Sequence, residues 1–186
     1  MKSMHNLNEY FFGQYNYLTT IIIPLSAICL LGMDNSFLQF IGRLRASDNF
    51  LYVKKLYVKK IAILSVSFIL ILLSYFILKY TFSSYFNQER ILVYNYAILM
   101  LFPFAIFTLN VQVIRGLDKL ILSELFKGVI RYGVLISLVV LLALKDFLNQ
   151  VIEAFVITFF LLAIISTIVV FKSLPEAKFN PLSIIG

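Results

Sequence analysis

The chain is poor in the residues that usually carry chemistry. Its 186 residues include one cysteine, Cys29, and one histidine, His5. One cysteine excludes an internal disulfide, and without a CxxC pair there is no familiar zinc ligand set. Cys29 lies in an apolar run, where a free thiol behaves as a small hydrophobe. His5 lies near the N-terminus and reads as a solvated tail residue. Charge is scarce as well. Asp, Glu, Lys and Arg make up 13% of the chain, against roughly 25% in an ordinary soluble domain. Neither a GxxxxGKS/T nor a GxGxxG phosphate loop occurs, and no two carboxylates share an apolar run. No nucleophile, histidine and acid come together at a recognisable spacing. These absences argue against an enzyme, and no cofactor or metal is expected.

What is present is hydrophobic. Apolar residues make up 61% of the chain, and the mean hydropathy is +0.95. Such a chain cannot cover a globular surface with polar groups, so lipid must solvate much of it. Five long, charge-free runs predict helices near 10–33, 61–78, 91–114, 128–144 and 154–171, an all-α polytopic transmembrane bundle over residues 1–174. Each run is near the ~20 residues that a helix needs to cross the hydrocarbon core. None shows the ten-residue alternation of a transmembrane β-strand. The fourth run is short, and it is read with Arg131 snorkelling to the interface. Pro24 and Pro103 fall inside the first and third helices, as ordinary membrane-helix prolines or as hinges.

The net charge of +7 is read as basic loops rather than a nucleic-acid surface. Arg43, Arg45, Lys54, Lys55, Lys59, Lys60, Arg115, Lys119, Lys127, Arg131, Lys172 and Lys178 fall on one side of the expected bundle. Lys2, Lys79, Arg90 and Lys145 fall on the other. The excess places the first side in the cytoplasm and the N-terminus outside. The repeat YVKKLYVKK, Tyr52–Lys60, reads as an interfacial Tyr/Lys anchor, with an anionic-lipid patch as the sharper reading. Residues 175–186 carry two prolines and then turn apolar. They are expected to be a cytoplasmic linker toward a further helix, and both ends of the chain read as cut.

Three polar stripes stand out. Past the first run, Asn35, Gln39 and Arg43 share one helical face, while Phe37, Phe40, Ile41 and Leu44 share another. Asp34 and Arg45 flank this stripe, and Asp34 sits where the apolar run ends. Thr108, Gln112 and Arg115 form a second stripe at the end of the third run. An Arg beside two neutral polar groups suits an anionic ligand, because guanidinium binds phosphate in a bidentate fork. The plainer readings are an amphipathic interfacial helix for the first stripe and a snorkelling Arg for the second. Glu124, Lys127 and Arg131 read as an intrahelical ion-pair ladder.

Two of these segments resemble a known family. Leu31–Ile41, LGMDNSFLQFI, with the upstream NEYFFGQYNYL of Asn8–Leu18, is similar to the signature around the second helix of bacterial lipid-linked oligosaccharide flippases. These belong to the polysaccharide-transport branch of the MOP superfamily. Ile114–Asp118, IRGLD, resembles the short basic signature after that family's fourth helix. Where the family usually has an Arg, this chain has Gln39, with Arg43 and Arg45 nearby. The resemblance implies five helices of the first of two lobes in the bacterial inner membrane. It implies transport of an undecaprenyl-diphosphate-linked oligosaccharide for surface polysaccharide such as O-antigen, by alternating access with a coupled ion. The substrate-binding residues would be Asp34, Asn35, Arg43, Arg45, Thr108, Gln112 and Arg115. The partners would be that substrate and membrane lipids, with no nucleic acid. Two other readings stand beside it: a small membrane scaffold or assembly subunit, and a multidrug exporter of the same superfamily.

Overall fold

The computed structural model describes residues 2–46, 50–81, 88–143 and 151–174. Every element among them is helical: α1 Lys2–Cys29, α2 Met33–Ala46, α3 Phe50–Thr81, α4 Gln88–Gly116, α5 Leu120–Leu125, α6 Arg131–Ala143 and α7 Val151–Ser173. A π-helical turn, Phe126–Ile130, joins α5 directly to α6. The segments Tyr52–Thr81, Ile91–Gly116, Leu120–Leu142 and Ile152–Ser173 are each long and apolar enough to cross a membrane, and Asn16–Cys29 is a shorter apolar helix within α1. The chain is a multi-pass, all-α membrane protein. The expected linker, 175–186, lies outside the described residues.

Three expected helices have different limits: α3 starts at Phe50 rather than 61, and the other two differ for a visible reason. The first was expected to run to residue 33 and on into the polar stripe. Instead α1 stops at Cys29, because Leu31 and Gly32 take positive φ values of 52° and 62°. The Gly32 N–H donates to the Ala27 carbonyl at 3.2 Å and the Leu31 N–H to the Ile28 carbonyl at 2.9 Å. That pair of bonds is a Schellman cap, which satisfies carbonyls the helix would leave open. The Arg115–Leu120 turn repeats the device: Asp118 has φ 68°, Lys119 N–H donates to Ile114 O at 3.2 Å, and Asp118 N–H donates to Arg115 O at 3.0 Å. The new helix therefore starts at Leu120 rather than near 128, and Lys127 and Arg131 lie well inside the helical segment rather than at its start.

The bundle is organised around α4. In the most apolar stretch of each span, 67% of the α4 residues are buried, against 50% for α7, 11% for α3 and 6% for Leu120–Leu142. At one end Tyr17 meets Tyr94 (2.8 Å), and the Tyr75 hydroxyl donates to Asn95 (2.7 Å). At mid-height Phe102 packs on Phe68 and Phe104 on Phe159, with ring centroids 5.1 and 4.9 Å apart. Toward the other end, which carries most of the cations, Asn110 is fully buried. It accepts from the Tyr57 hydroxyl at 2.6 Å and donates to Ser166 at 2.9 Å and to Thr167 at 2.8 Å. Tyr57 is thus a core residue, not an interfacial anchor. In the YVKKLYVKK repeat, Val53 and Tyr57 turn inward at i and i+4, while Tyr52, Lys54, Lys55 and Lys59 stay exposed.

Helix α2 lies across this basic end. Phe37 and Ile41 are fully buried and Leu44 is half-buried. Phe40, expected on the same face, is 55% exposed. The position that a Gly116 Cβ would occupy is 2.9 Å from both Cβ and Cγ2 of Ile41. Only glycine allows α4 to approach α2 this closely.

Asn110→Leu should lower unfolding stability in detergent by about 2–3 kcal/mol, since two buried hydroxyls and one half-buried one lose their common partner. Asn95→Leu, at the exposed end, should cost less than about 1 kcal/mol. Equal effects would remove the central role of Asn110. Gly116→Ala should cost about 1–3 kcal/mol by overpacking against Ile41, read as a fall in Tm.

Candidate functional site

The second polar stripe leads to a cavity. Thr108 and Gln112, one turn apart on α4, line a space of about 270 Å³ together with Phe104, Phe107, Val111, Lys127 and Arg131. The Thr108 hydroxyl is spent on the Phe104 carbonyl at 2.9 Å, a back-bond that leaves its oxygen able to accept. Gln112 is half-buried, and its Oε1 is buried with no hydrogen-bond partner among the described residues.

The cations come from the π-helical turn and the start of α6. Arg131 lies inside the Leu120–Leu142 span. Through Phe159 it lies level with Phe104, near the middle of the Ile91–Gly116 span. Its partners agree with this depth. The guanidinium stacks 5.2 Å from the Phe159 ring centre and 5.5 Å from that of Tyr132, and Phe159 packs on Phe104. The guanidinium thus rests on aromatic rings at the height of Phe104. No acceptor among the described residues takes a hydrogen bond from its guanidinium.

Lys127 sits one turn away, inside the π-helical turn. Its ion pair with Glu124 is 3.5 Å long and partly exposed, the weak class of surface pair. The expected ladder is thus formed by Glu124 and Lys127 alone, while Arg131 turns to the aromatic rings. π-turns within α-helices recur at functional sites, and this one holds Lys127 on the cavity wall.

The magnitudes show that packing does not account for Arg131. An Arg at a helix centre costs about 2.5–3.5 kcal/mol on insertion scales. A desolvated cation–π contact returns up to about 2 kcal/mol. What remains, among the described residues, is a guanidinium with no acceptor and a buried Gln112 oxygen with no donor. The arrangement can hold an acceptor-rich anion: guanidinium and ammonium would donate to it, and the Gln112 amide nitrogen could add a donor.

The other expected site residues are placed differently. Arg115 is exposed at the end of α4 and is not among the described residues lining this cavity. Arg43 is exposed on α2. Their helices touch at Ile41 and Gly116, which brings the two signature segments together at the basic end. For Asp34, Asn35 and Arg45 the structure describes the α2 backbone only. At the opposite end, Glu153 accepts from the Tyr96 hydroxyl at 2.7 Å, and its second carboxylate oxygen is buried without a described partner.

Sequence reasoning found Thr108 and Gln112 but not the cations across from them. The signal was available: Leu120, Ile121, Leu122 and Leu125 extend the apolar run ahead of Lys127, and Lys127 and Arg131 are four residues apart. Compared with family models, with curated proteins and with solved structures, the chain matches none.

If the Gln112 oxygen is an unspent group held for a ligand, Gln112→Met should leave stability unchanged or raise it by up to about 1 kcal/mol. Thermal unfolding in detergent reads this out, and a loss above that size would mark Gln112 as a structural residue.

Proposed function

We propose that the protein is a transport-type membrane bundle that handles an acidic, lipid-linked oligosaccharide, and that Lys127 and Arg131 hold the phosphate of its carrier at mid-membrane. The observation that carries this reading is the mid-span cavity in which two cations face Thr108 and Gln112. Ionisable side chains at this depth mark substrate and ion pathways far more often than they mark packing. The cavity's 270 Å³ is small for a ligand pocket, which typically spans about 300–1,000 Å³. It suits a phosphate-bearing headgroup and leaves the sugars outside. The resemblance of LGMDNSFLQFI and IRGLD to the flippase signatures supports the same class of substrate. On that reading the membrane is the bacterial inner membrane, and the basic end is cytoplasmic, where such a substrate would load.

The test is carried out in cells whose surface polysaccharide depends on this gene. Arg131→Ala should reduce export about 10–100-fold, the worth of a charge-assisted phosphate contact, while the protein still accumulates in the membrane. Arg131→Lys should rescue poorly, because an ammonium cannot replace a bidentate fork. Arg115→Ala in the same strain tests the exposed alternative. Normal export by both Arg131 variants would defeat the reading.

A further inference from the structure

Glu124 stands beside the cavity and outside it. Lys127 forms part of the cavity wall with Arg131, Thr108 and Gln112, yet its ammonium is paired with Glu124 Oε1 at 3.5 Å. Glu124 is not among the residues that line the space. Its side chain is 61% exposed, against 40% for Lys127. One lysine thus serves two neighbours, a carboxylate outside the cavity and the cavity itself. Arg131 differs, since its guanidinium is held on the Phe159 and Tyr132 rings.

The pair is easily opened. A good charge-assisted bond between ammonium and carboxylate is about 2.7–2.9 Å long, so the Lys127–Glu124 contact at 3.5 Å is loose. An exposed pair of this kind is worth at most about fivefold in an equilibrium constant. The lysine stem is flexible and its ammonium carries rotatable donors, so it can leave Glu124 without moving the backbone. The other place for it is the cavity, which Arg131 also lines. There the ammonium would meet a second positive charge, a costly approach unless an anion lies between the two. In the empty site, Glu124 is therefore the better partner. An anion in the cavity reverses that balance.

We infer that Glu124 is a displaceable counter-ion, which holds Lys127 aside in the empty site and yields it to an incoming phosphate. The inference rests on the reading of the cavity as a phosphate site. Arg131 makes the first contact, because the rings already hold it in place, and Lys127 closes second. Affinity is lowered by the fraction of time that the ammonium spends on Glu124. That loss is useful to a carrier. A phosphate held by two desolvated cations leaves slowly, and a carboxylate that takes one of them back speeds release. Glu124 is a positioning residue: it acts through Lys127 and touches no substrate.

The purified full chain in phosphatidylcholine nanodiscs is titrated with farnesyl diphosphate, with empty nanodiscs as the blank. Salt is held at about 0.15 M, where charges beyond about 8 Å are screened. Glu124→Gln should bind about two- to fivefold more tightly and release the probe more slowly. Lys127→Gln should weaken binding about tenfold. Adding Glu124→Gln to it should change nothing further, because no ammonium is left to set free. Lys127→Met takes its place in the cycle if Lys127→Gln does not accumulate. An equal gain from Glu124→Gln with and without Lys127 would overturn the counter-ion in favour of general repulsion between Glu124 and the anion. Unchanged affinity in Glu124→Gln, with binding lost in Arg131→Ala, would also overturn it and leave the phosphate site standing. Absence of binding by the native chain, or unaltered binding in both Arg131→Ala and Lys127→Gln, would overturn the phosphate site and the counter-ion with it. Inorganic pyrophosphate, titrated in parallel, should bind more weakly and show the same cycle. Equal affinity for the two probes would uphold the counter-ion and overturn the lipid-linked reading.

Discussion

Asn110 sits where α3, α4 and α7 meet, and its side chain has no water to bond with instead. In lipid, one apolar helix gains little by exchanging tails for another apolar helix, so specificity must come from shape and from polar groups that need each other. The Asn110 amide meets that need with the Tyr57 hydroxyl on one side and Ser166 and Thr167 on the other. An α4 shifted by one residue would leave several buried donors and acceptors open, at about 1–3 kcal/mol each. This single amide therefore sets the register of three helices. The aromatic contacts at mid-height and the cavity beside them both take their levels from it.

The two segments that drew attention in the sequence do more for architecture than for chemistry. LGMD and RGLD each close a helix with a Schellman cap, through Leu31–Gly32 and Asp118. Gly116 then admits Ile41 at a distance that no side chain would permit. The glycines and the left-handed residues are explained by turns and close approach alone.

The helical class and the membrane setting were plain from five apolar runs, because a hydrocarbon layer admits few other solutions. Thr108 and Gln112 were legible from their i, i+4 spacing on α4. The start of the fourth long helix was not. A span that carries Glu124, Lys127 and Arg131 looks like a loop when charge is used to delimit membrane segments, and that rule fails where charges face a cavity. Tyr57 was misread for a related reason. Two similar four-residue phrases in YVKKLYVKK invite one explanation, but their five-residue offset is not a whole number of helical turns. One tyrosine faces out and the other is buried. Asn110 was passed over because an isolated amide in an apolar run gives no periodic signal.

The chain's positive charge therefore consists of two populations with different energetics. Lys54, Lys55, Lys59, Arg115 and Lys172 are exposed at one end of the bundle, where hydration or lipid headgroups meet them at little cost. Lys127 and Arg131 lie inside a span, and each adds a penalty that a leucine would not. A helix carrying that penalty should compensate with extensive packing, yet in the most apolar stretch of this span only 6% of the residues are buried. The least packed helix in the bundle carries the most expensive side chains. Stability alone does not select that combination. Ionisable groups at such positions usually face a cavity rather than lipid, and here both line the space beside Thr108 and Gln112.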